Sequence, residues 1–496
     1  MCIDDRHMFS KTELEQILTD AVGKRVAEVD VKDVLGSGLR NKGYVGAVVE
    51  QSVLGYPADN KRRPDLLVDG VPVELKTTGI RRSKSAGGGY EAKEPVSVTA
   101  VRPGEIVHEE FDTSAFWEKC AHLLFVYYLY SHKVSSPAEY GGFPIKGFEF
   151  IDFDDEDKAL IEHDWTIVRD FIREIQREYP QNPESQYPRI SSELNRQQLS
   201  VLDTAPKWPN PPRFRLKRQF VTLIANKYFG GKFDQLPTRY SSLNELEGEC
   251  RRLARSYSGK TVNELCAQLG IERKNVSKRD AEMVVVRMFG GTAKRMRDVE
   301  IFNKFSVIGR TFVLTKNGRK TEDMKLFPID FDEVGDESVA FEDSAFRANF
   351  ADSSVLVIMF EEPGAGRPFS ENIFKGFELL SFSDAFIEHE VRSVFEKCRS
   401  LIVNHELRIE PYLRKDGTQM MNRNGQPREA PNWPKSRDGI VFLRGTGANS
   451  APEHKPLVVN GLHMYPQNLW IRGTFLAEKL ENLLVNQGLS RRRCEL

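Results

Sequence analysis

A mixed α/β fold, present twice along the chain, is predicted by three observations. The chain has 496 residues, too long for one ordinary core. Each half runs from amphipathic helical patterns through a β-rich middle to an acidic helix and an extended basic tail. Short stretches of the first half also recur in order in the second. VGKRVAEV (22–29) echoes SGKTVNEL (258–265), and FDTSAFWEK (111–119) echoes FEDSAFRAN (341–349) at an offset of 230. IKGFEFIDF (145–153) echoes FKGFELLSF (374–382) at 229, and IEHDW (161–165) echoes IEHEV (387–391) at 226. A slowly drifting offset is what loop insertions and deletions leave between duplicated domains. The expected domains are 1–230 and 231–496, with QLPTRYSSLNELEG (235–248) as their junction.

The elements follow in order. TELEQILTDAVG and LNELEGECRRLARSYSG open the two copies as amphipathic helices. LLFVYYLY (123–130) is too short for a membrane span, which needs about 20 apolar residues, and reads as a buried strand. DEDKALIEHDWTIVRDFIREIQRE and SDAFIEHEVRSVFEKCRSLIVN are the acidic helices. Residues 179–213 are proline-rich and are expected to form an ordered loop or arm.

Composition narrows the function. The hydrophobic share is 40% and the charged share 29%, as in globular proteins, and MCIDDRHMFSK lacks the apolar core of a secretory signal. A cytoplasmic protein without a membrane partner is expected. Cys2, Cys120, Cys250, Cys266, Cys398 and Cys494 are scattered, without paired spacing, and read as reduced thiols rather than zinc ligands. A net charge of −1 means that any nucleic-acid surface must come from local basic patches.

The most informative stretch is RRPDLLVDGVPVELKTTG (62–79), read with KGYVGAVVE (42–50). Asp69-Gly70 is a strong two-residue hairpin turn between β-rich runs. It pairs Val68 with Val71, Leu67 with Pro72, Leu66 with Val73 and Asp65 with Glu74. Opposed residues share a sheet face, with Cβ atoms about 5 Å apart. Lys76 lies on that face too, while Val71, Val73 and Leu75 point to the other. Pro72 falls at a non-hydrogen-bonded position and requires only an edge on its other side. Two adjacent carboxylates repel unless a cation lies between them. A hard divalent metal held this way, with a lysine near the attacking water, suits phosphodiester cleavage.

The second copy departs where that chemistry would sit. Aligning VELKT (73–77) with VIGRT (307–311) puts Ile308 at the place of Glu74 and Arg310 at that of Lys76. Aligning Gly55 with Gly290 puts Val285 at the place of Glu50, leaving Asp298 or Glu300 to stand in for Asp65. The second copy is expected to bind without cutting.

These residues resemble the MutH-like family of DNA endonucleases, which includes duplicated restriction enzymes of the Sau type. The carriers are KGYVGAVVEQSVLG (42–55), RPDLLVDGVPVELKT (63–77), IEHDWTIVRDFI (161–172) and FRLKRQF (214–220). The resemblance implies a restriction-endonuclease-like PD-(D/E)xK core in two tandem MutH-like copies. It implies catalysis by Glu50, Asp65, Glu74 and Lys76, with Mg²⁺, or Mn²⁺ in its place, held by Asp65, Glu74 and Glu50. A main-chain carbonyl near Leu75 would assist, and Lys42 matches a DNA-contacting lysine. The implied activity is type II, IIE-like cleavage of double-stranded DNA at GATC, the second copy binding a further DNA site. The Asp65–Glu74 interval is nine residues, two longer than the family's, which preserves the face because the side-chain period is two. The family's base-reading Arg-Pro-Lys-like run is matched by LDTAPKW (202–208), with Asp203 at the arginine position, and by LRGTGANS (443–450), with Arg444.

Basic patches interleaved with rings complete the expected DNA contacts. RRSKSAGGGY (81–90) offers Tyr90 as a wedge against a base step. PRFRLKRQF (212–220) alternates Phe214 and Leu216 with Arg215 and Lys217, giving one apolar and one phosphate-facing side. LWIRGTF (469–475), with Trp470 and Arg472, is its counterpart in the second copy. The protein is expected to be a monomer in solution, with DNA-induced dimerisation or looping open. A MutH-like nickase of mismatch repair and a non-cleaving DNA-binding regulator are the alternatives. The nickase needs no second copy, and a pure binder does not explain why one copy alone keeps the four chemical residues.

Overall fold

The computed structural model describes residues 7–37, 43–57, 62–83, 88–132, 134, 136–194, 199–205, 210–273, 275–316, 322–422, 425–447, 451–485 and 494–495. The chain divides into two compact units. One comprises Met1–Phe233 with Arg239–Leu243 and Asn303–Ser306; the other comprises Asp234–Thr238, Asn244–Phe302 and Val307–Leu496.

The first unit is built on a mixed six-stranded sheet. Its order is Met8–Phe9, Leu66–Val68, Val71–Arg82, His122–Leu129, Ile145–Asp152, with Tyr90–Ala92 pairing off the long strand. The hairpin has the predicted register: Leu66 opposite Val73, Leu67 opposite Pro72, Val68 opposite Val71. Asp69 and Gly70 both take positive φ, 47° and 83°, the two left-handed residues of a tight hairpin turn. The turn is tied down on its outer side. The Asp69 carboxylate accepts from the Lys11 N–H at 3.1 Å, and the Asp69 N–H donates to the Phe9 carbonyl at 3.0 Å. Pro72 meets its demand for an open edge because parallel pairing with His122–Leu129 begins only at Glu74.

The face of Val73 and Leu75 packs into a core with Leu14 and Leu18 of the helix Lys11–Ala21, and with Val45, Val48 and Val49. Gly46 lies against that face at Thr77, where an added Cβ would stand 3.2 Å from Oγ1. The acidic helix spans Asp155–Glu178, with the Asp154 carboxylate accepting from the Asp157 N–H as its N-cap. The proline-rich stretch holds short helices, Pro183–Gln186 and Pro188–Ser192, rather than only a loop. Proline in the first turn of a helix lacks an N–H that would have no partner there anyway. A smaller sheet runs Val96–Ala100, Arg213–Leu216, Leu202–Asp203.

The second unit has a four-stranded sheet, Val307–Thr315, Ser354–Glu362, Ile373–Ser381, Cys494–Glu495, and a smaller one, Met324–Pro328, Gln467–Ile471, Val441–Gly445. In both units the long strand pairs parallel to its neighbour, and that neighbour pairs antiparallel to the next. Both ladders slip at the same glycine. Tyr127 pairs with Gly147 and Tyr128 with Ile145, so Lys146 is the extra residue. Met359 pairs with Gly376 and Phe360 with Phe374, so Lys375 is the extra one. Tyr127 faces Thr78 across the parallel ladder, and Met359 faces Phe312. Counting back from Thr78 and Phe312, Glu74 occupies the place of Ile308 and Lys76 that of Arg310. Among the described residues, no strand precedes Val307–Thr315 in its sheet as Leu66–Val68 precedes Val71–Arg82. The hairpin that carries Asp65 has no counterpart there.

Candidate active site

The hairpin brings Asp65 and Glu74 together. The Asp65 carboxylate accepts the Leu75 N–H at 3.0 Å, and its carbonyl accepts from His7 Nδ1 at 2.8 Å, which holds the residue just before the strand begins. Burial raises the Asp65 carboxyl above its ordinary value, and the neighbouring Glu74 carboxylate raises it further. Lys76, Lys119 and the Leu75 N–H act in the opposite sense. Glu74 is 2% exposed. It accepts from Lys76 Nζ at 2.6 Å and from Lys119 Nζ at 3.1 and 3.0 Å on its two oxygens.

Lys119 was not singled out from the sequence. It stands in the last turn of the helix Ala115–Cys120, started by Ser114, whose Oγ accepts from the Trp117 N–H and donates to the Phe111 carbonyl. Phe116 anchors the helix on Phe214, with ring centroids 4.7 Å apart. The recurrence of FDTSAFWEK as FEDSAFRAN held the signal, since it aligns Lys119 with Asn349. Beside Lys119 lies a cavity of about 200 Å³ lined by Arg62, Arg102 and Arg213 as well as by Glu105, Phe116 and Trp165. Its cationic wall suits an anionic backbone.

The remaining site residues fall elsewhere. Glu50 sits on the helical turn Val49–Val53, half-buried, in the segment that packs on the Val73–Leu75–Thr77 face. Among the described residues no group of three acidic, His or Cys side chains is placed to hold a metal, so Glu50 does not complete a three-carboxylate set here. The pair Asp65–Glu74 still fits a hard cation. A buried carboxylate and a half-buried one that repel each other form an oxygen-only donor set for such an ion. Lys42 lies outside the described residues.

Lys217 does not face phosphate. The strand ends at Leu216, so the alternation stops and Lys217 begins the next helix, 4% exposed. Its ammonium donates to the Leu199 carbonyl at 2.5 Å and faces buried Asp164. Asp164 in turn accepts the N–H groups of Ser200, Val201 and Leu202 at 2.7–2.9 Å. Arg215 is held by Asp203 through two bonds of 2.6 and 3.0 Å. Tyr90 is no loop wedge. It ends a strand pairing, packs on Phe229 at 4.6 Å and lies under Arg82.

In the second unit Arg444 bonds Asp323 at 2.6 Å and lies over Trp470, whose indole N–H donates to the Arg444 carbonyl. Arg472 is half-buried, and its N–H meets the Ile440 carbonyl as that of Lys217 meets Val201. The two cations thus take one junction position. The pairings Leu202–Leu216 and Val441–Ile471 correct the base-reading alignment. They set Ala205, not Asp203, at the place of Arg444. The Arg310 guanidinium is spent on the carbonyls of Gly309, Lys325 and Leu326.

Residues 54–164, which hold Asp65, Glu74, Lys76 and Lys119, match the family model described as DNA mismatch repair enzyme MutH. The chain is 23% identical over 499 residues to the type II restriction enzyme Sau3AI of Staphylococcus aureus, covering 94% of this chain and 97% of the relative. The resemblance read from the hairpin and from the repeated segments is borne out at both lengths, and the two similarities together indicate a site-specific nuclease.

Proposed function

We propose that the protein is a Mg²⁺-dependent type II endonuclease that hydrolyses both strands of DNA at a short site, GATC by family resemblance. We further infer that the second unit binds a second DNA site without cutting. The observation that carries this reading is the asymmetry between the units. One has Asp65, Glu74, Lys76 and Lys119 in contact, whereas the other has Ile308, Arg310 and Asn349 in the matching places. The shared bulges and ladder order support the duplication.

Asp65 and Glu74 would hold the divalent ion, which when bound supplies Lewis-acid charge and an acidified water. Lys76, now on Glu74, would orient that water and take part in its deprotonation. Lys119 would balance the charge developing on the phosphate oxygens. Arg62, Arg102 and Arg213 would seat the flanking backbone. The products would be 5′-phosphate and 3′-hydroxyl ends.

The test is digestion of a sequenced, unmethylated plasmid with purified protein and Mg²⁺, followed by mapping of the ends. Double-strand breaks at one short sequence are expected, with Mn²⁺ substituting for Mg²⁺. Nicks alone would indicate the mismatch-repair type, and retarded but intact DNA would indicate a binder.

A further inference from the structure

Residues 408–455 of the second unit hold nine Lys or Arg against five Asp or Glu, a net of +4 in a chain whose net charge is −1. Four of the nine cations and three of the five carboxylates fall on an arm, residues 409–431. Ile409–Pro411 pairs antiparallel with Glu429–Pro431, and the ribbon continues as the Tyr412 N–H donates to the Arg428 carbonyl at 2.8 Å. At the tip the chain folds back twice. The Arg414 N–H meets the Thr418 carbonyl and the Asn422 N–H meets the Gln426 carbonyl, each at 2.8 Å, around Gly417 and Gly425 at positive φ. Leu413 and Met421 stand 57% and 52% exposed on this tip, beside exposed Arg414, Lys415 and Arg428. Two apolar side chains thus stand in water among cations on this tip.

At the base of the arm lies a groove of about 270 Å³, walled by Tyr412, Arg428, Lys435, Arg444, Lys455 and Tyr465. Its cations sit over rings: Arg428 is 4.9 Å and Lys435 5.6 Å from the Tyr412 centroid, and Lys455 is 5.7 Å from that of Tyr465. Lys435 and Lys455 are also paired with Glu410 and Glu429 at 3.2 Å, and Arg444 with Asp323 at 2.6 Å, so the wall holds its cations in place and presents the flat ring faces to sugars or bases. A two-stranded ribbon is also the shape that a DNA groove admits.

The geometry points to this arm and groove as the surface by which the second unit grips duplex DNA. One phosphodiester strand runs along the groove, and Leu413 and Met421 enter the adjacent DNA groove as apolar wedges. The inference rests on the reading that this unit binds a second DNA site, and names the surface that does so.

The test uses the full-length Glu74→Ala protein, which is expected not to cleave. Binding of a short synthetic duplex is followed by fluorescence anisotropy across a salt series. The protein is taken alone, with Arg414→Glu/Lys415→Glu/Arg428→Glu, and with Leu413→Ser/Met421→Ser. Two duplexes per chain are expected. The charge-reversed arm should weaken one of them about tenfold or more, with the salt slope falling by about 0.9 per lost phosphate contact. The serine pair should weaken that site with the slope unchanged. If the arm variants leave both affinities and the slope intact while two duplexes still bind, the arm is overturned and the second-site reading stands. If the chain takes up a single duplex, both are overturned.

Discussion

Glu74 is the residue on which the site turns, because Lys76 and Lys119 both place their ammonium groups on its buried carboxylate. Removing either cation leaves negative charge in a poorly solvated place, and removing Glu74 leaves two half-buried cations without it. Lys119→Ala is expected to lower kcat by about two to three orders of magnitude with DNA affinity retained, as for loss of one transition-state donor. Single-turnover cleavage beside anisotropy checks it, and unchanged kcat would take Lys119 out of the chemistry. Glu74→Ala and Lys76→Ala should each abolish cleavage while the protein still shifts DNA in a gel. Asp164 carries the opposite kind of role. It serves three backbone N–H groups and faces Lys217, so Asp164→Ala should cost about 3–5 kcal/mol of stability, read from urea unfolding.

At the scale of elements, the hairpin turn aims the carboxylates. An added Cβ at Gly70 would meet open space, but its φ of +83° is a backbone conformation that other residues rarely adopt. Gly70→Ala should therefore cost about 1 kcal/mol through strain alone. Cleavage measured below the unfolding midpoint should fall with it, since Asp65 is set by the register. The pairing of His122–Leu129 with Ile145–Asp152 brings a second titrating group. Burial pushes the Glu149 carboxyl up to about 7, and the Tyr127 hydroxyl, which donates to it, acts in the opposite sense. The folded-state value lies above the ordinary 4.5, so this contribution to stability is complete below about 4.5 and is lost as pH rises through about 7. Glu149→Gln should flatten the pH dependence of the unfolding midpoint over that window. A profile identical to the parent's would show that Glu149 titrates normally.

Across the whole molecule, two units share a ladder order and a bulge at the Lys-Gly-Phe segment, yet among the described residues one alone keeps the carboxylate hairpin. A chain organised this way should cut plasmids with two recognition sites faster than plasmids with one. Adding a short duplex bearing the site should restore the slower substrate. Equal rates on both plasmids would remove the second unit from the reaction. No helix among the described residues is long and apolar enough to cross a membrane.

Local signals written in consecutive residues determined a good deal by themselves. The Asp-Gly turn set the hairpin register and hence the meeting of Asp65 with Glu74, because strand periodicity and turn geometry leave no other pairing. Aligning VELKT with VIGRT set Ile308 and Arg310 at the places of Glu74 and Lys76, and the ladders count to the same positions. Only the tertiary structure decided what long-range packing controls. Alternation could not show that the strand stops at Leu216 and turns Lys217 inward to Asp164, nor that Asp203 is claimed by Arg215. It could not carry Lys119 across 45 residues to Glu74. Whether a charge faces solvent, substrate or a buried partner depends on the element packed over it, and that neighbour comes from a distant part of the chain.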